Sequence, residues 1–248
     1  ARSLQATRSS NWAVVVSGFF EPVFYLLAMG WGGLGSFIGD VTLSTGTEVP
    51  YAAFIAPGLL AVSAMNGAIY DSTWNVFFKM RFGRLYDAML ATSIGPLDVA
   101  LGEIVYALLR GGVYAVGFLT VMQVLGLNLA WTAALAIPPA VLLVAFGFAS
   151  VGMAITSFMK TFQQMDWINF VLLPMFLFSA TFYPLSVYSE PIQWVIKAFP
   201  LWHAVELIRG LTTGALSVAM LGHTAYFLVM IAAGVTLTTT RLRALFLS

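Results

Sequence analysis

The sequence predicts an all-α integral membrane protein with six transmembrane helices, and three observations support this fold class. Of its 248 residues, 60% are hydrophobic and 8% are charged, and the mean hydropathy is +0.91. A soluble domain carries about 25% charged residues, so this chain cannot cover a water-facing surface. Apolar stretches long enough to cross a bilayer, which takes about 20 residues, recur along the whole chain. We therefore expect a single transmembrane domain over residues 1–248.

The gaps between charged residues set the boundaries of the predicted spans. Gly111 to Met159 contains no charge and is too long for one helix, so we place a turn at Gly126 and assign two spans to it. Pro57 and Pro174 fall inside spans, where lipid-embedded helices tolerate proline better than soluble helices do. The predicted spans cover about 12–37, 52–78, 97–126, 131–158, 166–183 and 216–240.

The orientation of the spans follows from the distribution of lysine and arginine, which favour cytoplasmic loops. With an even number of spans both termini lie on one side of the membrane, and we expect both in the cytoplasm. The outer side then holds only Lys197 and Arg209. The inner side holds Arg2, Arg8, Lys79, Arg81, Arg84, Lys160, Arg241 and Arg243.

Composition also excludes several kinds of site. The chain has no cysteine and two histidines, which excludes disulfides, thiolate metal sites and a histidine-built metal centre. A net charge of +1 gives no reason to expect a nucleic-acid partner. We predict no catalytic residue, no metal site and no cofactor bound by this chain.

The loop between the second and third predicted spans, residues 79–96, is rich in charge. Leu85 and Met89 share one helical face, because residues four apart lie one above the other, whereas Asp87 points elsewhere. Glycine followed by proline commonly ends a helix, so we expect Gly95–Pro96 to stop this one. Two interpretations stay open: a basic loop held at the inner headgroups, or a short helix presented to a cytosolic partner.

The connection between the fifth and sixth predicted spans, from Tyr183 to Gly214, contains two apolar stripes at helical spacing, each too short to span. Ser189 can cap the first of these helices. We therefore expect a helical hairpin that dips into the outer leaflet. A metal or catalytic role for His203 is less favoured than an interfacial hydrogen bond, and the same holds for His223. The hairpin residues of interest are Pro184, Trp194, Pro200, His203, Glu206 and Arg209.

Four ionisable residues fall inside predicted spans, where a charge is costly and usually faces a partner or a cavity. They are Glu21, Asp71, Glu103 and Arg110. Arg110 lies near the middle of its span and should hold an acidic partner. Glu21 is the first choice because its span offers comparable depth, with Asp71 and Glu103 behind it. The group is either an ion pair that locks helix packing or a polar lining for a headgroup pathway.

Several sequence blocks resemble the type 2 ABC exporter permeases. The nearest subgroup is the permease of the nodulation lipo-oligosaccharide exporters, with the daunorubicin-type drug exporter permeases close by. The resemblance covers nearly the whole chain. The blocks that carry it are 54–60, 72–81, 84–92, Gly102–Glu103, 176–185 and 200–210.

The resemblance implies a homodimeric permease in the bacterial inner membrane that works with two P-loop ABC ATPase subunits. ATP and magnesium would be bound by those partners. The segment matching 84–92 is the coupling helix of the family, and the segment 183–214 matches its extracellular re-entrant hairpin. The coupling residues are then Arg84, Leu85, Tyr86, Asp87, Ala88, Met89 and Leu90.

We therefore expect the transmembrane subunit of an ATP-driven exporter of an amphipathic substrate, such as a glycolipid, a lipid-linked saccharide or a hydrophobic drug. The chain contains no Gly-x-x-x-x-Gly-Lys-Ser/Thr loop, so the energy source would lie on the partner. The alternative is a proton- or ion-coupled secondary transporter or channel that uses Glu21, Asp71 or Arg110 as a relay. An intramembrane enzyme is a weaker third possibility, because no catalytic set lies at a shared depth.

Overall fold

A computed structural model of the chain describes residues 20, 22–31, 34–43, 46, 48–83, 85–127 and 131–246, and it is mostly helical. Short 3₁₀ turns cover Phe162–Met165 and Leu185–Val187, and two short strands are β1 (Asp40–Thr42) and β2 (Glu48–Pro50). The helices are α1 (Leu26–Trp31, π-helical), α2 (Leu34–Ile38), α3 (Tyr51–Arg81), α4 (Leu85–Leu90), α5 (Pro96–Val124), α6 (Trp131–Phe158), α7 (Asp166–Phe178), α8 (Glu190–Ala198), α9 (Pro200–Thr213) and α10 (Ala219–Phe246).

Four helices in the described part of the chain are long and apolar enough to cross a membrane, namely α3, α5, α6 and α10. They coincide with the second, third, fourth and sixth predicted spans. Residues 12–19, 21, 32 and 33 of the first predicted span, 12–37, lie outside the described residues, and the described part of it contains α1 and most of α2. The fifth, predicted at 166–183, holds the 13-residue α7, which ends at Phe178. Such a helix is about 20 Å long, which is less than the bilayer core.

The early end of α7 has a local cause in the backbone. Ser179 leaves helical geometry, and Ala180 adopts a φ of 58°, the left-handed conformation that commonly ends a helix. The carbonyl of Ala180 accepts a hydrogen bond from Arg209 on α9 at 2.9 Å. The hairpin side chain therefore holds the turn that shortens this helix.

Helix α3 forms the centre of the bundle. Of the residues in its most apolar stretch, 83% are buried, whereas the corresponding share in α10 is 11%. Helix α10 therefore faces outward, and α3 is surrounded by protein. Helix α3 packs on α5, α6 and α9. Small residues allow the close approach, since a Cβ added to Gly67 would meet Tyr114 and the backbone of Gly111 on α5 at 3.0 Å or less. Small interfacial residues are the usual device for packing helices in lipid.

Helix α10 packs mainly along α6, through contacts of the same kind. A Cβ at Gly234 would lie 2.6 Å from the backbone of Ser150, and one at Gly147 would collide with the ring of Phe227.

Strands β1 and β2 form an antiparallel ribbon in which Val41 lies opposite Val49. This ribbon was not expected from the sequence, and it leads directly into α3.

The hairpin α8–α9 and the short helix α4 lie at opposite ends of α3. At the first end of α3, the Tyr51 hydroxyl donates to the carbonyl of Phe182 at 3.2 Å. At the last end, the Arg81 guanidinium donates to the carbonyl of Met159 at 2.6 Å. With 31 residues, α3 separates these ends by about 46 Å at 1.5 Å per residue.

The predicted role of Gly95–Pro96 as the end of the loop helix is wrong. Helix α4 already ends at Leu90, and Gly95 is instead the residue that precedes α5. The Asp98 carboxylate accepts a hydrogen bond from the Gly95 amide at 2.9 Å, and Pro96 occupies the first turn of α5. Proline is favoured there because its missing N–H would be unpaired in any case.

Candidate functional site

Arg110 on α5 forms an ion pair with Asp71 on α3 inside the bundle. The guanidinium Nη1 lies 2.7 Å from Asp71 Oδ1, and the side chains are 13% and 1% exposed. Asp71 opens a π-helical stretch, Asp71–Asn75, that interrupts the α-helical pattern of α3. Such π segments add a residue to one turn and occur frequently at functional sites.

The pair is surrounded by further polar and aromatic groups. Asn75 donates its amide to Asp71 Oδ1 at 2.7 Å, and Arg110 Nε donates to the Tyr114 hydroxyl at 3.2 Å. The guanidinium also lies 5.0 Å from the centre of the Tyr70 ring, a cation–π distance. Within the described residues, Asp71 Oδ2 accepts no hydrogen bond. The cluster thus holds a neutral charge pair and one unused carboxylate oxygen.

Of the four ionisable residues predicted inside spans, the structure brings only Asp71 and Arg110 together among those it describes. Glu21, the first choice as partner of Arg110, lies outside the described residues. Glu103 is not the partner, because it precedes Arg110 by two helical turns, about 10 Å along the axis of α5. Glu103 instead pairs with Lys79.

This second ion pair lies nearer to α4. The Lys79 ammonium is 2.7 Å from Glu103 Oε2, with side chains 25% and 12% exposed. The same ammonium lies 5.2 Å from the centre of the Tyr106 ring. Lys79 belongs to the basic inner segment, and sequence reasoning counted it only toward orientation. Lys79 follows Asp71 by about two turns, and Glu103 precedes Arg110 by about two turns, so the matched spacing of opposite charges would have been the signal for this pair.

The short helix α4 has an inward and an outward face. Tyr86 and Leu90, four residues apart, are buried in the core, while Asp87 and Ala88 are exposed. Leu85 and Met89 are partly buried and pack against the core between these faces. Arg84 lies outside the described residues. A six-residue helix is too short to be stable alone, so packing of its inward face must hold it.

Tyr86 provides an aromatic contact in that packing. Its side chain is completely buried, and its ring meets that of Phe246 at the end of α10 edge to face, with centroids 6.4 Å apart. Burial, and then the negative charge of Glu103, raise the pKa of Tyr86 well above its usual value. The hydroxyl therefore stays protonated beside the Glu103 carboxylate.

At the opposite end of the bundle, Arg209 joins three elements. Its guanidinium is 2.9 Å from Glu206 Oε1, donates to the Ala180 carbonyl at 2.9 Å, and lies 4.1 Å from the centre of the Phe54 ring. Arg209 is only 7% exposed. The residue predicted on the polar side of the hairpin is thus a buried link between α9, α3 and the turn after α7.

His203 and His223 contact each other directly, which the sequence did not predict. Their Nδ1 atoms are 2.7 Å apart, and the Tyr226 ring stacks on His203 with centroids 4.0 Å apart. Burial, followed by the proximity of His223, lowers the pKa of His203 to about 4. One neutral ring can donate to the other, so the contact requires at least one unprotonated histidine.

An apolar groove of about 660 Å³ runs beside this pair along α10, from Ala219 to Ala233, and Val151 lines it from α6.

The other predicted hairpin residues do not line this groove. Trp194 is 72% exposed, and Pro200 begins α9. Pro184 precedes a 3₁₀ turn. Among the described residues, no group of three His, Cys, Asp or Glu side chains is placed to hold a metal ion.

Comparison with known proteins places the chain among transporters. The family model for ABC-2 type transporters matches residues 1–213. Nodulation protein J of Rhizobium leguminosarum bv. viciae is 29% identical over 209 residues, covering 84% of this chain and 78% of that protein. Nodulation protein J of Bradyrhizobium diazoefficiens is 30% identical over 209 residues, covering 84% and 77%. No solved structure matches the chain.

The match to the family model extends over the described helices from α1 to α9 and so includes both charge pairs and α4. The resemblance predicted from the sequence blocks is confirmed by this match and by the relatives. The chain, with its apolar membrane helices, belongs to the ABC-2 type transporter family.

Proposed function

We propose that this chain is the permease subunit of an ATP-driven exporter in the bacterial inner membrane, with α4 as the docking site for an ABC ATPase. Membership in the family implies an ABC ATPase partner. The single observation that supports the docking site best is the two-faced helix α4. Its Tyr86 and Leu90 are buried between the ends of the spans, and its Asp87 and Ala88 are exposed.

The proposed orientation puts α4 in the cytoplasm and the hairpin α8–α9 outside. Basic residues cluster at the α4 end, where Lys79, Arg81, Lys160 and Arg243 lie, as the positive-inside rule requires. Both termini would then be cytoplasmic. We further propose two ATPase subunits and two copies of this chain in each complex.

The proposed substrate is an amphipathic molecule, of which an acylated oligosaccharide is the first candidate. The resemblance of the sequence blocks to the permeases of nodulation lipo-oligosaccharide exporters supports this choice, and proteins named nodulation protein J are similar over most of the chain. A saccharide headgroup needs hydrogen-bonding partners inside the membrane. The cluster around Asp71 and Arg110, in which Asp71 Oδ2 accepts no hydrogen bond from the described residues, would supply such groups at the level of the spans.

The experiment is coexpression with a P-loop ABC ATPase encoded by a neighbouring gene, purification of the complex and reconstitution into vesicles. We expect copurification and ATP-dependent movement of a fluorescent N-acylated oligosaccharide across the bilayer. The chain alone should hydrolyse no ATP. Transport by the chain alone, driven by a proton gradient, would contradict the proposal and favour a secondary transporter.

A further inference from the structure

Two ion pairs join α3 and α5, and each helix carries one acidic and one basic member of these pairs. Asp71 and Lys79 are separated by about 12 Å along α3, and Arg110 and Glu103 by about 10 Å along α5, at 1.5 Å per residue. The helices run in opposite directions, so both pairs close at once at 2.7 Å. The two helices are therefore joined at two levels.

The order of the charges prevents the helices from sliding past each other. A shift of one helical turn, about 5.4 Å, would separate both ion pairs. A shift of about two turns would bring Arg110 opposite Lys79 in one direction, or Glu103 opposite Asp71 in the other. Like charges inside a membrane protein are strongly unfavourable, because the low dielectric strengthens their repulsion.

Helix α4 is attached to this pair of helices near the Lys79–Glu103 pair. It connects α3 to α5 in the chain, and its Tyr86 is fully buried. Tyr86 lies beside the Glu103 carboxylate of α5 and packs its ring on Phe246 of α10, so it is the residue through which α4 meets the Lys79–Glu103 pair. A force on the exposed Asp87 would then reach α3 and α5 together.

We propose that the Lys79–Glu103 ion pair is a positioning element that makes α3, α4 and α5 one rigid lever, with Tyr86 as the contact on α4. The lever transmits the movement of the bound ATPase to the Asp71–Arg110 cluster. This inference rests on the proposed function, because it requires an ATPase at α4. Lys79 and Glu103 act through helix position and do not touch the substrate.

The test uses the complete complex in vesicles and measures ATP hydrolysed per molecule of a fluorescent N-acylated oligosaccharide exported. Lys79→Gln and Glu103→Gln should each raise this ratio at least about fivefold, the lower range of a coupling effect between sites. The charge swap, Lys79→Glu with Glu103→Lys, should restore the ratio. Lys160→Gln, on an exposed residue at the same end of the bundle, is the matched control and should change nothing.

A second measurement reports rigidity without any substrate. The chain has no cysteine, so spin labels can be attached at Phe78→Cys on α3 and Val113→Cys on α5, both exposed positions. We expect one distance between the labels in the nucleotide-free and ATP-bound complexes. Lys79→Gln should add a second distance, and the charge swap should remove it.

The outcomes separate the inference from the function on which it rests. If the unaltered chain neither binds nor stimulates a P-loop ATPase, the proposed function is wrong and the lever is wrong with it. If the unaltered complex exports normally and the single variants keep its ratio and its label distance, only the lever is overturned. Loss of coupling in both single variants without recovery in the charge swap also overturns it, since attraction between the charges would then be irrelevant.

Discussion

Arg110 and Asp71 are joined by a 2.7 Å contact between Nη1 and Oδ1, and the carboxylate is 1% exposed. Removing one partner of a buried ion pair leaves an uncompensated charge, which costs about 3–5 kcal/mol. We therefore expect Arg110→Ala to lower the thermal stability in detergent and the export activity together. Arg243→Ala, which removes an exposed arginine at the end of α10, should have little effect.

Asp71→Asn tests whether the pair has a role beyond packing. Combined with Arg110→Ala it removes both charges, so the double variant should regain most of the stability lost in the single variant. Stability without export in the double variant would assign a transport role to the pair. Recovery of both would make it a packing device, and strictly additive losses would show that the two residues are not partners.

The exposed face of α4 gives a prediction about docking. Asp87→Lys combined with Met89→Asp should weaken binding of the ATPase at least about tenfold, equal to about 1.4 kcal/mol, because it reverses a charge and places another at the rim of the interface. Copurification with the ATPase at a series of salt concentrations measures this effect. Asp40→Lys reverses an exposed charge in β1, far from α4, and serves as the control.

Normal ATPase binding by the double variant, at unchanged amounts of folded protein, would show that α4 is not the docking site. The variant must therefore be compared with the unaltered chain in its elution profile and its membrane content. Because Tyr86 and Leu90 are unchanged, the inward face of α4 should still pack, and insertion should proceed as before.

Arg209 should be the most sensitive single position of the hairpin. It is 7% exposed and binds Glu206, the Ala180 carbonyl and the Phe54 ring. Arg209→Gln should cost about 3 kcal/mol of stability, at the lower end for a broken buried pair because Glu206 is 29% exposed. Arg209→Lys keeps the charge and should lose less. Thermal unfolding in detergent compares the two, and equal losses would mean that charge contributes nothing.

The sequence predicted four membrane helices because their signal is local. Runs without charge located α3, α5 and α6 within three residues and α10 within six, since the need for about 20 apolar residues is a property of each segment alone. It could not place Asp71 against Arg110. That contact depends on the rotation of α3 about its axis, which the π-helical stretch Asp71–Asn75 changes and which no hydropathy pattern records.

The hairpin shows the same limit from another direction. The spacing of Glu206 and Arg209 predicted a polar face, which such spacing indicates on an isolated helix at a membrane surface. In the structure α9 packs among α3, α6 and α10, so Arg209 points into protein. The contact between His203 and His223 joins residues 20 positions apart on two helices, and its formation depends on how those helices meet.

The contact between His203 and His223 should make the stability of the folded chain depend on pH. In the unfolded chain His203 takes up a proton near its ordinary pKa of 6.5, whereas in the folded protein its pKa is about 4 because burial and then His223 disfavour the charge. The folded state therefore binds fewer protons between these values. The contribution of the neutral His203 to the free energy of unfolding is fully present above pH 6.5 and is lost as the pH decreases toward 4.

The groups that face this contact are the Glu206 carboxylate and the rings of Trp202 and Tyr226. We expect the melting temperature of the unaltered chain in detergent to drop between about pH 7.5 and about pH 5. His203→Gln keeps a polar side chain without a titrating ring, so its melting temperature should change less over the same interval. Lys160→Gln lies outside the contact and should retain the full pH dependence, whereas an equal drop in His203→Gln would exclude His203 as its source.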